Sequence, residues 1–269
     1  APRSDQSTVH TDAYAVTASP SKSRTPGLAP QRITRILPIL PRGWDRPRVP
    51  LTATPGASPK LLVMAMSLEV HPDNPQPRAI SQAAEIIRGG GVIAYPTDSC
   101  YALGCRLGNR AGLDRIRTIR ALSAGHHFTV VCNDFSQLGQ LVYLNNAVFR
   151  AIKAATPGGY TFIVRATGEV PRQLQHPRKR TIGVRIPDHT VARALLAELG
   201  EPMVSSSLLL PGQTVPLTQG WEIKERLDHS VDAVLDSGQC GTEPTTVIDF
   251  SRDQPEVVRK GSGDPSRFQ

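Results

Sequence analysis

From residue 77 onward the sequence alternates two hydrophobic periodicities, and this alternation limits the possible folds more than any other feature of the chain. Ile80, Ala83, Ala84 and Ile87 recur at three- and four-residue spacing over 77–88. Pro77 suits a first helical turn, and Gly89-Gly90-Gly91 follows the last periodic position. The apolar run Val92-Ile93-Ala94-Tyr95 comes next and reads as a buried strand. Leu113, Ile116 and Ile119 mark a second amphipathic helix over 111–122, again followed by a strand, 128–132. Further helices are predicted over 145–155 and 191–199, the latter ended by Gly200, with strands over 160–165, 181–186, 231–235, 246–250 and 257–258. Helices interleave with strands, but some strands are adjacent in the middle and at the end. The pattern therefore predicts one α/β domain with a twisted sheet that mixes parallel and antiparallel strands.

The pattern does not extend upstream. Before residue 66 the chain is rich in Pro, Ser, Thr and Arg, with nine Lys plus Arg against three Asp plus Glu. That segment carries +6 of the net charge of +8, leaving +2 for the remainder. The basic balance is thus a weak argument for a polyanion partner of the later part. Pro30, Pro38, Pro41, Pro47 and Pro50 would interrupt the amphipathic helix of a transit peptide. We read 1–65 as a disordered Pro/Ser/Arg-rich extension, either a leader or sequence upstream of a start at Met64 or Met66, and 66–269 as the folded domain. No apolar run is long enough to span a bilayer, so no membrane partner is expected. Cys100, Cys105, Cys132 and Cys240 form no C-x-x-C pair, and we expect buried free thiols in a reducing, cytoplasmic setting.

Several chemistries lack their motifs. Gly89-Gly90-Gly91 and Gly261-Ser262-Gly263 have neither the lysine of a phosphate loop nor dinucleotide spacing, and read as helix stop and turn. His126-His127 has no HExxH or Cys/His companion, so no metal site is expected. No G-x-S-x-G elbow accompanies Ser205-Ser206-Ser207. What stands out is a set of hydroxyl and guanidinium residues at strand ends and turns: Thr97, Ser99, Arg185, Ser205 to Ser207, Thr245-Thr246 and Arg259. Such groups suit a ligand carrying both carboxylate and phosphate.

Six ordered segments carry a family resemblance. Tyr95-Pro96-Thr97-Asp98-Ser99-Cys100-Tyr101-Ala102-Leu103-Gly104, Thr156-Pro157-Gly158-Gly159-Tyr160-Thr161 and Thr181-Ile182-Gly183-Val184-Arg185-Ile186-Pro187 come first. Glu201-Pro202-Met203-Val204-Ser205-Ser206-Ser207, Thr245-Thr246-Val247-Ile248-Asp249 and Val258-Arg259-Lys260-Gly261 follow. Together they resemble the YrdC/YciO family over 71–268. The resemblance implies a twisted α/β sheet with a concave basic cavity, in which synthase members join ATP, L-threonine and bicarbonate into threonylcarbamoyl-adenylate for transfer RNA modification. It also implies roles. Ser99, Arg185 and Thr245 would contact threonine, with Thr97 and Tyr101 shaping that pocket. His126, Thr181, Ser205, Ser207 and Arg259 would face ATP, and Arg120 and Arg185 would be the catalytic pair. ATP would be a substrate accompanied by Mg²⁺.

Two departures from the synthase pattern bear on activity. The synthases' KxR pair is here Arg120-Ala121-Leu122, and their SAN is Ser205-Ser206-Ser207, so two ATP-facing groups change. With the loop 124–129, these changes make the chain resemble the YciO branch, with weakened or altered synthase activity expected. The competing reading is a non-catalytic module for transfer RNA or double-stranded RNA, based on Arg172, Arg178, Lys179, Arg180 and Arg193. Against it, no aromatic residue interleaves that basic run in the sequence.

Overall fold

The first element after Met64 is a strand the periodicity did not predict, β1 (Met66–Glu69). Helix α1 (Pro77–Arg88) buries Ile80, Ala83, Ala84 and Ile87, as its spacing dictates, and leads through the glycines into β2 (Val92–Tyr95). The remaining elements are β3 (Ala102–Arg106), α2 (Arg110–Arg120), β4 (Thr129–Val131), α3 (Phe135–Leu141), β5 (Val142–Tyr143), α4 (Asn146–Ala155), β6 (Tyr160–Ala166), β7 (Thr181–Arg185), α5 (Thr190–Leu199), β8 (Met203–Ser207), α6 (Gly220–Leu227), β9 (Ala233–Asp236), β10 (Thr246–Asp249) and β11 (Glu256–Arg259). This computed structural model describes residues 64–123, 125–252 and 254–269. The extension predicted for 1–65 lies outside them except for its last two residues. Ala65 is already part of the fold, buried and donating its N–H to the Asp228 carbonyl at 2.6 Å.

The strands form one sheet in the order β1-β9-β2-β3-β8-β4-β7-β6-β10-β11, with β5 on β6. Pairings are parallel at β1/β9, β2/β9, β4/β7 and β6/β10, and antiparallel elsewhere, so the predicted mixed sheet is the one observed. Among the described residues no helix is long and apolar enough to cross a membrane. All four cysteines are buried and free.

Helices cover the sheet unequally. On one face α2, α3, α4 and α6 bury Leu113, Ile116, Leu138, Leu141, Ile152, Ile223 and Leu227 against Val130, Phe162, Val164, Val184, Val204 and Ile248. On the other face α1 and α5 pack against each other and against Ile93, Tyr95, Val131, Met203, Ala233 and Leu235. That second layer covers one half of its face and leaves β7, β6 and β10 without a helix.

The elements absent from the prediction have local causes. Gly104 sits mid-strand in β3 because a Cβ there would lie 3.0 Å from the Tyr95 ring. A glycine in that position reads as a turn. Strand β8 is written largely in serine, which has low strand preference, and its polarity reflects the site described next.

Candidate functional site

The uncovered half-face is a polar floor. Side chains alternate across a sheet with period two, so Phe162, Val164, Val184 and Ile248 point into the core while their neighbours point the other way. Those neighbours are Thr161 and Ile163 on β6, Thr181, Gly183 and Arg185 on β7, Thr129 on β4, Ser205 and Ser207 on β8, and Val247 and Asp249 on β10. All of them line one cavity of about 390 Å³. Loops after β2, α2, β8 and β9 complete the walls with Thr97, Ser99, Arg120, His126, Thr242 and Thr245, and Arg259 joins from β11. Arg120, Lys179, Arg185 and Arg259 face a single wall carboxylate, Asp249, so the cavity is basic as expected.

Gly183 keeps the floor level. A Cβ there would meet Thr129 Oγ1 at 3.2 Å and Thr161 Cγ2 at 3.3 Å. Gly183→Val is expected to weaken small-molecule binding in the cavity by roughly tenfold through overpacking. A thermal-shift titration checks this, with the variant's unliganded melting temperature as the control.

One end is organised by the turn 96–100. Thr97 Oγ1 donates to the Cys100 carbonyl at 2.6 Å, so the 3.0 Å contact with Ser99 must have the Ser99 hydroxyl donating. Ser99 Oγ in turn accepts from Arg185 Nη1 at 3.3 Å. Arg185 Nη2 pairs with Asp98, and both side chains are close to fully enclosed, at 8% and 12% exposure. Asp98 Oδ2 and Arg185 Nε are buried with no hydrogen-bond partner among the described residues. This end therefore holds a pre-aimed guanidinium beside hydroxyls, with hydrogen-bonding capacity to spare.

Arg120 reaches the cavity from the last turn of α2. Its Nη1 donates to Ser206 Oγ and its Nε to the Leu209 carbonyl at 3.2 Å. Arg259 is held by the Thr245 carbonyl, at 3.1 Å from Nε and 2.8 Å from Nη2. Gly261 permits this approach, because a Cβ there would fall 2.0 Å from the Pro244 carbonyl oxygen. The Thr245 hydroxyl lies 2.8 Å from that of Thr161. Burial lowers the pKa of both Arg120 and Arg259, raising the electrostatic cost of leaving them without an anion.

Two histidines respond to the same environment. Burial first, and then Arg120, lowers the pKa of His126 below its usual 6.5. Burial and His176, on which His127 stacks at 4.9 Å, lower that of His127. A histidine whose folded pKa is depressed adds stability above its unfolded pKa and loses it as pH falls, because the unfolded chain takes the proton first. The urea midpoint of the unliganded protein is therefore expected to fall as pH drops below about 6.5, the unfolded histidine value. In the His126→Gln/His127→Gln variant the fall should be shallower, with His189, also depressed by burial, supplying the remainder.

The structure gathers Thr97, Ser99, Arg120, His126, Thr181, Arg185, Ser205, Ser207, Thr245 and Arg259 around this cavity. Tyr101 is a correction: it is fully buried, and its hydroxyl lies between the Gly238 carbonyl at 2.8 Å and Asp236 Oδ1 at 3.2 Å. The turn that points Ser99 into the cavity sends Tyr101 into the apolar layer, so it braces the 237–245 loop and does not form a wall. Lys179, read as part of the basic run of the RNA-binding alternative, is also a wall residue of this cavity, 3.5 Å from Asp249. Thr161, Thr129 and Gly183 were not singled out as site residues. Thr161 and Gly183 are in phase with assigned floor positions, a signal available once strand pairing is known.

Residues 85–261 match the Sua5/YciO/YrdC family, described as telomere recombination. The chain belongs to this family. Members include the uncharacterized protein YciO of Escherichia coli K12, 50% identical over 205 residues, 76% of this chain and 100% of the relative. The crystal structure of E. coli YciO superposes with a TM-score of 0.74, covering 77% of this chain and all of the other. A threonylcarbamoyl-AMP synthase of Nitrosococcus oceani is 35% identical over 154 residues, 57% of this chain and 82% of its own. The Pyrococcus abyssi Sua5 structure, described as complexed with L-threonine, shares the fold at 24% identity and a TM-score of 0.68, over 73% of this chain and 58% of that one.

Proposed function

We propose that the cavity joins ATP, L-threonine and bicarbonate into threonylcarbamoyl-adenylate and pyrophosphate, for threonylcarbamoyladenosine modification of transfer RNA. One observation carries the reading: a single cavity is lined by three hydrogen-bonded guanidiniums, Arg120, Arg185 and Arg259, together with neutral hydroxyls. Arg185 with Ser99 and the Thr161/Thr245 hydroxyls suits an amino-acid carboxylate and a side-chain hydroxyl. Arg120 and Arg259 suit phosphate oxygens. The relatedness to synthases that bear this activity supports the same assignment.

The chemistry asked of the chain is positioning and charge stabilisation. The threonine amine adds to bicarbonate and water leaves, giving a carbamate. A carbamate oxygen then attacks the α-phosphorus, and the bond to pyrophosphate breaks. Arg185 fixes the amino acid so that its amine faces the bicarbonate, while Arg120 and Arg259 offset charge growing on the leaving pyrophosphate. Mg²⁺ is expected with the triphosphate. Among the described residues no cluster of three His, Cys, Asp or Glu could hold it, and Asp249 is engaged by Lys179, so phosphate oxygens would be its ligands.

The altered sequence positions tune this site. Leu122 packs against the apolar core and offers no charge to a phosphate. Ser206, alanine in the synthase pattern, is the hydroxyl that holds Arg120. One fixed cation thus does the work of two, and a slow rate is expected. The test is pyrophosphate release by the full chain with ATP, threonine and bicarbonate. Release that requires all three supports the proposal, and none above the no-threonine background overturns it.

A further inference from the structure

One contact joins the helix-covered half of the sheet to the cavity. Tyr95, the last residue of β2, is fully buried in the layer under α1 and α5, and its hydroxyl lies 2.7 Å from Ser205 Oγ on β8. Strand β3 lies between β2 and β8, so the ring has to cross it. It does so at Gly104, the register partner of Ser205. A Cβ on Gly104 would lie 3.0 Å from Tyr95 Cε1 and 3.1 Å from Met203 Cε, so glycine keeps the path open. Ser205 lines the cavity, and Tyr95 stands behind the lining.

The direction of this hydrogen bond follows from the other partners each group has. Among the described residues Ser205 is the only hydrogen-bond partner of the Tyr95 hydroxyl, and the tyrosine is shut off from water. A serine donating to it would leave the phenolic proton buried without an acceptor, an arrangement that folded proteins avoid because it is costly. Tyr95 therefore donates and Ser205 Oγ accepts. Burial pushes the phenol up to about 12, so it keeps the donated proton throughout the neutral range.

The proton of Ser205 is left free. Ser205 has no second side-chain partner among the described residues, and its place in the lining puts that proton within reach of whatever fills the cavity. Accepting a bond on the oxygen also strengthens the one its proton can donate. Ser99 is set the opposite way, since its proton goes to Thr97 and its oxygen accepts from Arg185. Two serines of one cavity thus differ in polarity, and Ser205 is the one with a proton to give.

We propose that Tyr95 is a positioning residue for the nucleotide, acting through Ser205, whose proton it leaves free to donate to a phosphate oxygen. An anionic phosphate oxygen accepts without donating, so it matches a hydroxyl that is fixed as a donor. The proposal rests on the reading of the cavity as a triphosphate site, and adds to it a residue that never touches the ligand.

Titration calorimetry of the full chain with ATP and with inorganic triphosphate tests this without turnover. Tyr95→Phe keeps the ring and removes the donor, and is expected to weaken both ligands by about five- to tenfold, with the threonine-induced thermal shift unchanged. Ser205→Ala should weaken them by a similar factor and also lower the melting temperature, because it strands the phenol. Adding Tyr95→Phe to Ser205→Ala should restore the melting temperature and cost no further affinity, since the phenol acts only through the serine. Equal affinity of wild type and Tyr95→Phe overturns the proposal, as does a full further loss when Tyr95→Phe is added to Ser205→Ala. A loss confined to ATP, with inorganic triphosphate unaffected, also overturns it, because the contact would then be to the base or sugar. A wild type that binds neither ligand overturns it together with the triphosphate reading of the cavity. The expected cycle without pyrophosphate release supports the role of Tyr95 and overturns only the reaction.

Discussion

Arg185→Leu is expected to destabilise the protein by about 3–5 kcal/mol, because it leaves the Asp98 carboxylate buried without its partner. Asp98→Leu should be similarly costly, since it strands the guanidinium. The double variant Asp98→Leu/Arg185→Leu should recover most of the loss, because a well-packed apolar pair of similar volume is close to neutral against a buried ion pair. Urea denaturation of the four species gives the coupling. Near-additive losses would mean that the two groups do not depend on each other. Stability and function should then separate. The double variant, although folded, is expected to show no thermal shift with threonine, whereas the wild type is expected to show one. That outcome would mean that the buried pair is held for ligand binding more than for the fold.

The second large effect is expected at Arg120. Arg120→Ala should raise the apparent KM for ATP by about ten- to a hundredfold, the usual cost of removing a charged hydrogen-bonding partner, with threonine-induced thermal stabilisation unchanged. Ser206→Ala should fall in between, because the Leu209 carbonyl still holds Nε while Nη1 is released. Leu122→Arg distinguishes sequence pattern from structure. If matching the synthase motif were enough, it would increase activity; because Leu122 packs on the core, it is expected to lower the melting temperature with no gain in rate. Steady-state kinetics against ATP together with melting curves decide the matter.

Much of this was legible in the sequence because helices announce themselves by periodicity. Helix α1 runs over the residues its apolar spacing predicted, and the start and stop of α5 differ by no more than one residue. Strands whose two faces have different tasks were harder to read. Strand β8 places Val204 in the core and Ser205 and Ser207 on the cavity floor, so it resembles neither an apolar run nor a hydrophobic alternation. Helix α6 carries only two large buried residues, Ile223 and Leu227, too few for a periodic signal. At the site, Thr97, Ser99 and Arg185 were legible because they sit in motifs. Asp98 lies in the same motif, but nothing in the sequence says that its carboxylate turns to meet a strand 87 residues away. Tyr101 was misplaced for the complementary reason, since a motif identifies a neighbourhood without telling which of its side chains turns inward.

The half-covered sheet has a consequence for how such a protein can change. On β6, β7 and β10 residues that support the core alternate with residues that line the cavity, so the two demands are carried by different letters of the same short words. Exchanging Thr161, Ile163, Thr181 or Val247 rewrites the chemistry offered to a bound molecule while Phe162, Val164, Ile182 and Ile248 go on holding the helices beneath. A scaffold built this way can drift between substrates one floor position at a time without passing through an unfolded intermediate sequence.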